Sequence, residues 1–171
     1  MLKLEPGPYL RERTTLRLGG KTLGEARLSR EDELAELSGL LKSFGAAPLV
    51  LGRGSNILAL DEDLPLVLVT PDFDAPPEIV EDSGGEVQVK VGAGRTLPGF
   101  LHWCAENGLG GLAGLAGIPG SMGGAVAMNA GSYGCETGER LAGVRVFTPE
   151  RGTVFLPKTD FQLAYRKFNP T

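Results

Sequence analysis

The sequence is short of the residues from which most metal and nucleophile sites are built. It holds one histidine, His102, and two cysteines, Cys104 and Cys135, in 171 residues. Two cysteines cannot close a four-ligand zinc site, and no set of Cys, His or carboxylates has ligand spacing, so no metal is expected. His102 falls off the apolar stripe of its helix, which gives it a surface place. Asp61-Glu62-Asp63 reads as a solvated turn, and nothing around Cys135 points to a lowered thiol pKa. An excess of positive charge is also missing. The 17 Lys and Arg stand against 21 Asp and Glu, for a net charge of −4, which argues against a nucleic-acid partner. No apolar stretch is long and glycine-poor enough to span a bilayer as a helix, and the opening MLKLEPGPYL lacks the apolar run of a secretion signal. The expectation from these absences is a cytoplasmic protein with reduced thiols and no membrane partner.

What is abundant is glycine, with 26 residues, about twice the usual share. These glycines cluster between apolar positions and follow no collagen or linker pattern. From Gly108 to Gly134 no charge appears, and the centre of that segment reads GIPGSMGGAVAMNAGSYG, residues 117–134. Missing Cβ atoms let backbone approach backbone, or let backbone approach a flat ligand. A wide aromatic ring with a polar edge needs apolar walls, main-chain donors and acceptors, and no ionised neighbours to desolvate. Taken alone, the segment fits a ligand wall or close packing of small residues equally. Pro119 disfavours helical geometry at Ile118, so one continuous helix is not expected.

Gly52-Arg53-Gly54-Ser55-Asn56 follows the apolar run 48–51. Two glycines bracketing one residue let successive backbone N–H groups converge on phosphate oxygens. The third glycine of a dinucleotide fingerprint and the Gly-Lys-Ser/Thr of a P-loop are absent, and an ordinary tight turn is the competing reading. Gly92-Ala93-Gly94 at a strand end is open between a turn and a ligand edge. Tyr165-Arg166 is weak evidence as a bare pattern.

The remaining patterns predict the elements. Residues 11–20 read as a short strand or entry loop. A helix capped by Ser29 carries Leu34, Leu37, Leu40 and Leu41 and closes at Gly45. Strands are expected at 48–51 and 64–70, and a Pro- and Asp-rich linker at 71–85. Val87, Val89 and Val91 alternate on a half-buried strand. Thr96 caps a helix with Leu97, Phe100, Leu101 and Cys104 on one stripe, ending at Asn107-Gly108. Strands follow at 144–147 and 153–157, then a tail without an obvious terminal element. The division expected is residues 1–71 and 72–171.

In order and spacing, residues 51–56, 91–94, 117–134 and Tyr165-Arg166 together resemble the UDP-N-acetylenolpyruvoylglucosamine reductase (MurB) family, in its shorter, second subtype. Thr14-Thr15 to Gly19-Gly20 is similar to the N-terminal motif of that family. The resemblance implies an α+β fold, the FAD-binding module of the vanillyl-alcohol-oxidase/PCMH type, with two α+β subdomains that clasp the flavin. By the same resemblance, Gly52, Arg53, Gly54, Ser55 and Asn56 hold the pyrophosphate. Gly92, Ala93 and Gly94 line the ribityl chain and isoalloxazine, with Ile118, Pro119, Gly120, Gly123, Gly124, Ala125, Asn129, Ala130, Gly131 and Gly134. Arg166 faces the enolpyruvyl carboxylate and stabilises the enolate-like intermediate, and Tyr165 lines the same pocket.

The implied reaction takes hydride from NADPH, through bound FAD, to the enolpyruvyl group of UDP-N-acetylglucosamine enolpyruvate. Its product, UDP-N-acetylmuramate, feeds peptidoglycan synthesis, and so cell-wall biogenesis, cell shape and division. The implied protein is a cytoplasmic monomer whose partner is the UDP-sugar. Phe168 stands where a Ser usually follows Tyr-Arg, and Ala113 where Glu is common. In the family, a substrate domain with a Ser or Cys proton donor and a later Glu follows the Tyr-Arg motif. The sequence ends at Thr171, and the expectation is therefore an FAD-binding portion, catalytically incomplete by itself. Two rival readings are another flavoenzyme on the same module and a folded segment without catalysis.

Overall fold

An apolar run without alternation, such as Leu64 to Val69, needs cover on both faces of its strand. The computed structural model, which describes Leu2 to Pro170, provides that cover. The chain divides into two compact units, the first ending at Phe73 and the second beginning at Asp74. In the first, β1 (Leu4–Pro6), β2 (Thr22–Leu28), β3 (Ala47–Val50) and β4 (Leu64–Pro71) form one sheet in the order β1-β2-β4-β3. β1 is antiparallel to β2, whereas β2 and β3 both run parallel to β4. Helix α1 (Glu33–Phe44) joins β2 to β3. On one face Val69 packs with Ala26, Leu28 and Leu37 of α1; on the other Leu68 meets Leu10 and Leu51. Each fully buried Leu or Val among them contributes about 1.5–3 kcal/mol.

Strand β2 has no counterpart in the sequence reading. Its residues TLGEARL put a glycine and two charges into what is among the most buried stretches of the fold. The start of α1 also differs. Asp32, not Ser29, occupies the N-cap, without a side-chain cap. The Glu33 carboxylate instead reaches back to accept from the backbone N–H of Ser29 (2.8 Å) and of Arg30 (3.0 Å). The end is as expected, with Gly45 left-handed (φ +63°) and its N–H on the Leu41 carbonyl. The Arg30 and Ser29 amides hold the Glu33 carboxyl below the usual carboxylate range. A depressed folded-state pKa stabilises above the unfolded value and is lost as pH falls through the folded one. An NMR titration is therefore expected to show Glu33 protonating below a free glutamate, with the Ser29 and Arg30 amides shifting at the same midpoint. A Glu33 midpoint at or above that of free glutamate would contradict this assignment.

The second unit pairs its strands as antiparallel hairpins around two helices. β5 (Glu78–Asp82) pairs with β6 (Val87–Lys90), β7 (Gly131–Ser132) with β8 (Cys135–Glu136), and β9 (Gly143–Thr148) with β10 (Gly152–Pro157). β11 (Phe161–Ala164) and β12 (Lys167–Pro170) close the chain. Helices α2 (Leu97–Glu106) and α3 (Met122–Ala127) lie between β6 and β7 in sequence. Two expectations need correction. The stretch 71–85 is not linker throughout, because β5 lies in it. The tail is a hairpin, rooted by the buried Phe161, whose ring lies 5.2 Å from that of Phe168.

The core of this unit is Leu97, Phe100, Cys104, Leu115, Met122 and Ala125, with Val89 and Val91 packed against it. Thr96 caps α2 as expected, its hydroxyl accepting from the Gly99 N–H. Burial pushes the Cys104 thiol pKa up, whereas Cys135 is half-buried, its Sγ 3.7 Å from the Gly111 carbonyl oxygen. The thiolate is the reactive form. A thiol reagent added to the native chain is accordingly expected to label Cys135 first and Cys104 only on unfolding. Equal labelling rates would contradict the packing.

Candidate functional site

In the first unit, the turn Gly52–Asn56 leaves β3 directly after the buried Leu51, whose N–H donates to the Val69 carbonyl at 2.9 Å. Gly54 is buried at φ +64° and its carbonyl accepts from the Thr15 N–H at 3.1 Å. A Cβ on Gly54 would overlap the Arg13 carbonyl oxygen. Gly52, Arg53 and Asn56 are exposed and Ser55 is half-buried. The turn is thus fixed from behind by the backbone of Arg13 to Thr15 and presents its other residues outward. The same segment is tied in further on, with the Gly20 N–H on the Leu60 carbonyl and the Gly19 N–H on Asp61 Oδ1. Asp61 holds a backbone loop here, and no group of three metal-ligating side chains occurs among the described residues.

Behind that segment lies a charged cluster that sequence reasoning missed. Glu25, 1% exposed, receives Arg13 Nη2 at 2.5 Å, Arg27 Nη2 at 3.0 Å and the Thr70 hydroxyl at 2.8 Å. Arg27 also reaches Asp72 at 3.3 Å. A charged residue in a central strand has no sequence signal of its own; the two nearby arginines offered only a hint.

In the second unit, the structure brings two of the expected motifs side by side. The Gly92–Gly94 turn lies against the residues that open α3: the Gly123 N–H donates to the Ala93 carbonyl (2.9 Å), Met122 N–H to Arg95 (2.8 Å), and Leu97 N–H to Gly120 (3.0 Å). A Cβ on Gly123 would come within 3.1 Å of the Ala93 Cβ. Gly117 and Gly134, in contrast, face open space. The glycine block therefore packs closely in its middle and leaves room at both ends. Ile118 and Ala130 pack on the core, Ala125 is buried, Gly124 and Gly131 are exposed, and Pro119 is exposed. Arg95, which sequence reasoning did not single out, lies in this turn with Nη1 3.3 Å from Asp74 and a buried Nε that has no hydrogen-bond partner among the described residues.

Asn129 is 7% exposed and left-handed, at φ +44°. Its side chain is committed within the protein: Nδ2 donates to Glu136 Oε2 (2.7 Å) and Oδ1 accepts from the Gly138 N–H (2.9 Å). Tyr165 and Arg166 form the two-residue turn between β11 and β12, away from the glycine turns in sequence and on the surface of their unit. Tyr165 is 82% exposed, Arg166 has φ +57°, and its guanidinium stands 5.3 Å from the Tyr165 ring. His102 is exposed beside Glu106, at 3.3 Å. A cavity of about 510 Å³ is lined by Asn129, Glu136, Gly138, Glu139, Lys158, Phe161, Gln162 and Leu163. The reciprocal capping of Glu136 and Glu139, which shapes one wall, is the one part with a sequence signal, two glutamates three residues apart. No described helix is long and apolar enough to cross a membrane.

The chain is 54% identical over 168 residues to the UDP-N-acetylenolpyruvoylglucosamine reductase of Nitratidesulfovibrio vulgaris, covering 98% of this chain and 57% of that protein. To the Bacillus subtilis reductase of the same name it is 32% identical, covering 92% of this chain and 50% of that one. The chain thus spans about half the length of the curated relatives it matches. The crystal structure of UDP-N-acetylenolpyruvylglucosamine reductase (MurB) from Thermus caldophilus superposes with a TM-score of 0.79 at 32% identity, over 100% of this chain and 58% of that one. A solvent-stable cholesterol oxidase superposes at 0.65 with 18% identity, a likeness of fold. The α+β architecture is that of the vanillyl-alcohol-oxidase/PCMH type. A family model described as an FAD binding domain matches residues 23–156, most of the sequence, and the chain belongs to that family.

Proposed function

We propose that this chain is the FAD-binding part of an NADPH-dependent reductase that converts the enolpyruvyl group of UDP-N-acetylglucosamine enolpyruvate to the lactyl ether of UDP-N-acetylmuramate. The observation that carries the reading is the pairing of the Gly92–Gly94 turn with Gly120–Gly124 through backbone hydrogen bonds, in a chain whose close relatives are reductases of that name. The residues present fit the cofactor. The segment 108–134 brings main-chain donors and small side chains without any charge, and Arg95 Nε is a buried donor still without a partner among the described residues. FAD supplies the two-electron chemistry that links a nicotinamide to the double bond.

The chain's own residues bind and orient. Gly52 to Asn56 offers successive backbone amides and the Arg53 charge to a pyrophosphate. Gly92 to Gly94, Ile118 to Gly120, Gly123 to Ala125 and Asn129 to Gly134 form an uncharged lining for the ribityl chain and ring. Arg166 holds a fixed positive charge for the enolpyruvyl carboxylate, where negative charge grows during reduction, and the exposed Tyr165 ring flanks it. On this reading the protein works as a cytoplasmic monomer in peptidoglycan synthesis, with the UDP-sugar as its partner. Titrating FAD into the purified chain is expected to quench flavin fluorescence and give a yellow protein. A folded chain that leaves FAD fluorescence unchanged would defeat the reading.

A further inference from the structure

The backbone of Gly138 is engaged at both its N–H and its C=O. Its N–H donates to Asn129 Oδ1 at 2.9 Å, and its carbonyl accepts from Lys158 Nζ at 2.5 Å. The space a side chain would need at residue 138 is filled: a Cβ there would lie 2.7 Å from Leu163 Cδ1 and 2.8 Å from Asn129 Oδ1. Asn129, Lys158 and Leu163 therefore meet at this glycine. Asn129 lies at the corner after α3, within the glycine block, Lys158 follows β10, and Leu163 belongs to the hairpin whose tip is Tyr165-Arg166. Lys158 is fixed at its other end as well. Its N–H donates to the Ala142 carbonyl at 3.0 Å, and its ammonium stands 5.2 Å from the ring of Phe161, the root of that hairpin. Glu136 completes the brace by holding Asn129 Nδ2 at 2.7 Å.

We infer that Lys158 is a positioning residue: through the Gly138 backbone it holds the Asn129–Gly131 corner in register with the Tyr165–Arg166 hairpin. Each segment has ties of its own: Thr137 donates to the Ala130 carbonyl, and the hairpin carries its ladder and the Phe161–Phe168 contact. Asn129 and Arg166 both occupy left-handed backbone, at φ +44° and +57°, which non-glycine residues keep only when their surroundings impose it. The charge-assisted hydrogen bond from Lys158 to the Gly138 carbonyl, with the Gly138 N–H on Asn129, links the Asn129 corner to the root of that hairpin. The functional meaning rests on the flavin reading above: the brace sets where the substrate-facing arginine stands relative to the corner that lines the cofactor.

The test compares Lys158→Met and Lys158→Arg with the unsubstituted chain, by hydrogen–deuterium exchange without cofactor and by visible circular dichroism with FAD bound. Lys158→Met is expected to speed exchange about tenfold, the equivalent of one charge-assisted hydrogen bond, in both 129–138 and 161–170, leaving α2 unchanged. It is also expected to alter the dichroism of the bound flavin, and Lys158→Arg to restore both signals. Faster exchange confined to 158–160, an arginine variant no better than the methionine one, or an unaltered flavin spectrum would each overturn the inference. If the unsubstituted chain takes up no FAD, the flavin reading fails, and the exchange pattern still decides whether Lys158 couples the two segments.

Discussion

Replacing Glu25 by alanine is expected to destabilise the first unit by about 3 kcal/mol and to lower its urea midpoint accordingly. The carboxylate is 2% exposed and is satisfied by Arg13, Arg27 and the Thr70 hydroxyl. Removing one member of a buried ionic cluster costs about 3–5 kcal/mol, because the others keep their desolvation without their partner. Here the side chains of Arg13 and Arg27 are 36% and 38% exposed. Solvent screens them and lets them turn outward, which places the effect at the lower end. Alanine also opens a void beside Leu68, the residue paired with Glu25 across the strands. Glu25→Gln keeps the volume and one acceptor oxygen, so its cost should be smaller, about 1–2 kcal/mol. Arg13 makes the shorter contact with Glu25, 2.5 Å against 3.0 Å for Arg27, so Arg13→Met should do more harm than Arg27→Met. Because the Arg13 carbonyl backs Gly54, Glu25→Ala is expected to weaken FAD uptake as well. A urea midpoint equal to that of the parent would contradict the whole ordering.

The reach of sequence reasoning in this chain depends on whether local signals agree. They agree in α2, where Thr96 caps, Leu97, Phe100 and Cys104 share a stripe, and Asn107-Gly108 stops the helix. They agree again in β4, β9 and β10, whose branched and aromatic residues leave no helical period. In β2 they conflict: Gly24, Glu25 and Arg27 are all poor strand formers on a surface reading, and the strand forms because it pairs with both β1 and β4, buries Ala26 and Leu28, and gives Glu25 its Arg13 and Thr70 partners. The hairpin at 161–170 was hidden for a similar reason. Its turn is Tyr-Arg, without the Gly or Asn that a left-handed turn residue favours, and Arg166 takes that conformation regardless.

The candidate site divides the same way. The glycine-rich segments at 52–56, 92–94 and 117–134 were legible because glycine density is itself unusual. That the last two share backbone hydrogen bonds was not, since such bonds leave no trace in side-chain pattern. Asn129 shows the limit most clearly. It sits inside the most specific motif of the sequence, and its side chain is spent on Glu136 and Gly138 within the fold.

Gly54→Ala is expected to cost about 3 kcal/mol and to weaken FAD binding by at least about tenfold, for reasons that can be separated. Alanine at φ +64° carries a strain of about 1–2 kcal/mol from its own backbone. The added Cβ would also overlap the Arg13 carbonyl oxygen and lie 2.9 Å from both the Arg13 carbonyl carbon and Thr14 Cα. All three are backbone atoms of one tethered segment, so no rotamer change relieves the clash. The turn must move away from Arg13 to Thr15, and the hydrogen bond from Thr15 to the Gly54 carbonyl is lost with it, about 1 kcal/mol more. Gly45→Ala isolates the first contribution. That residue has φ +63° and open space around its absent side chain, so its variant should lose only about 1–2 kcal/mol and bind FAD like the parent. Urea denaturation and fluorescence titration of both variants decide the matter. If Gly54→Ala is as mild as Gly45→Ala, the close approach is not what demands glycine there. If Gly54→Ala folds, is destabilised and still binds FAD with the parent's affinity, the Gly52–Asn56 turn does not hold the pyrophosphate, since a displaced cradle of backbone amides would aim its donors away from the anion.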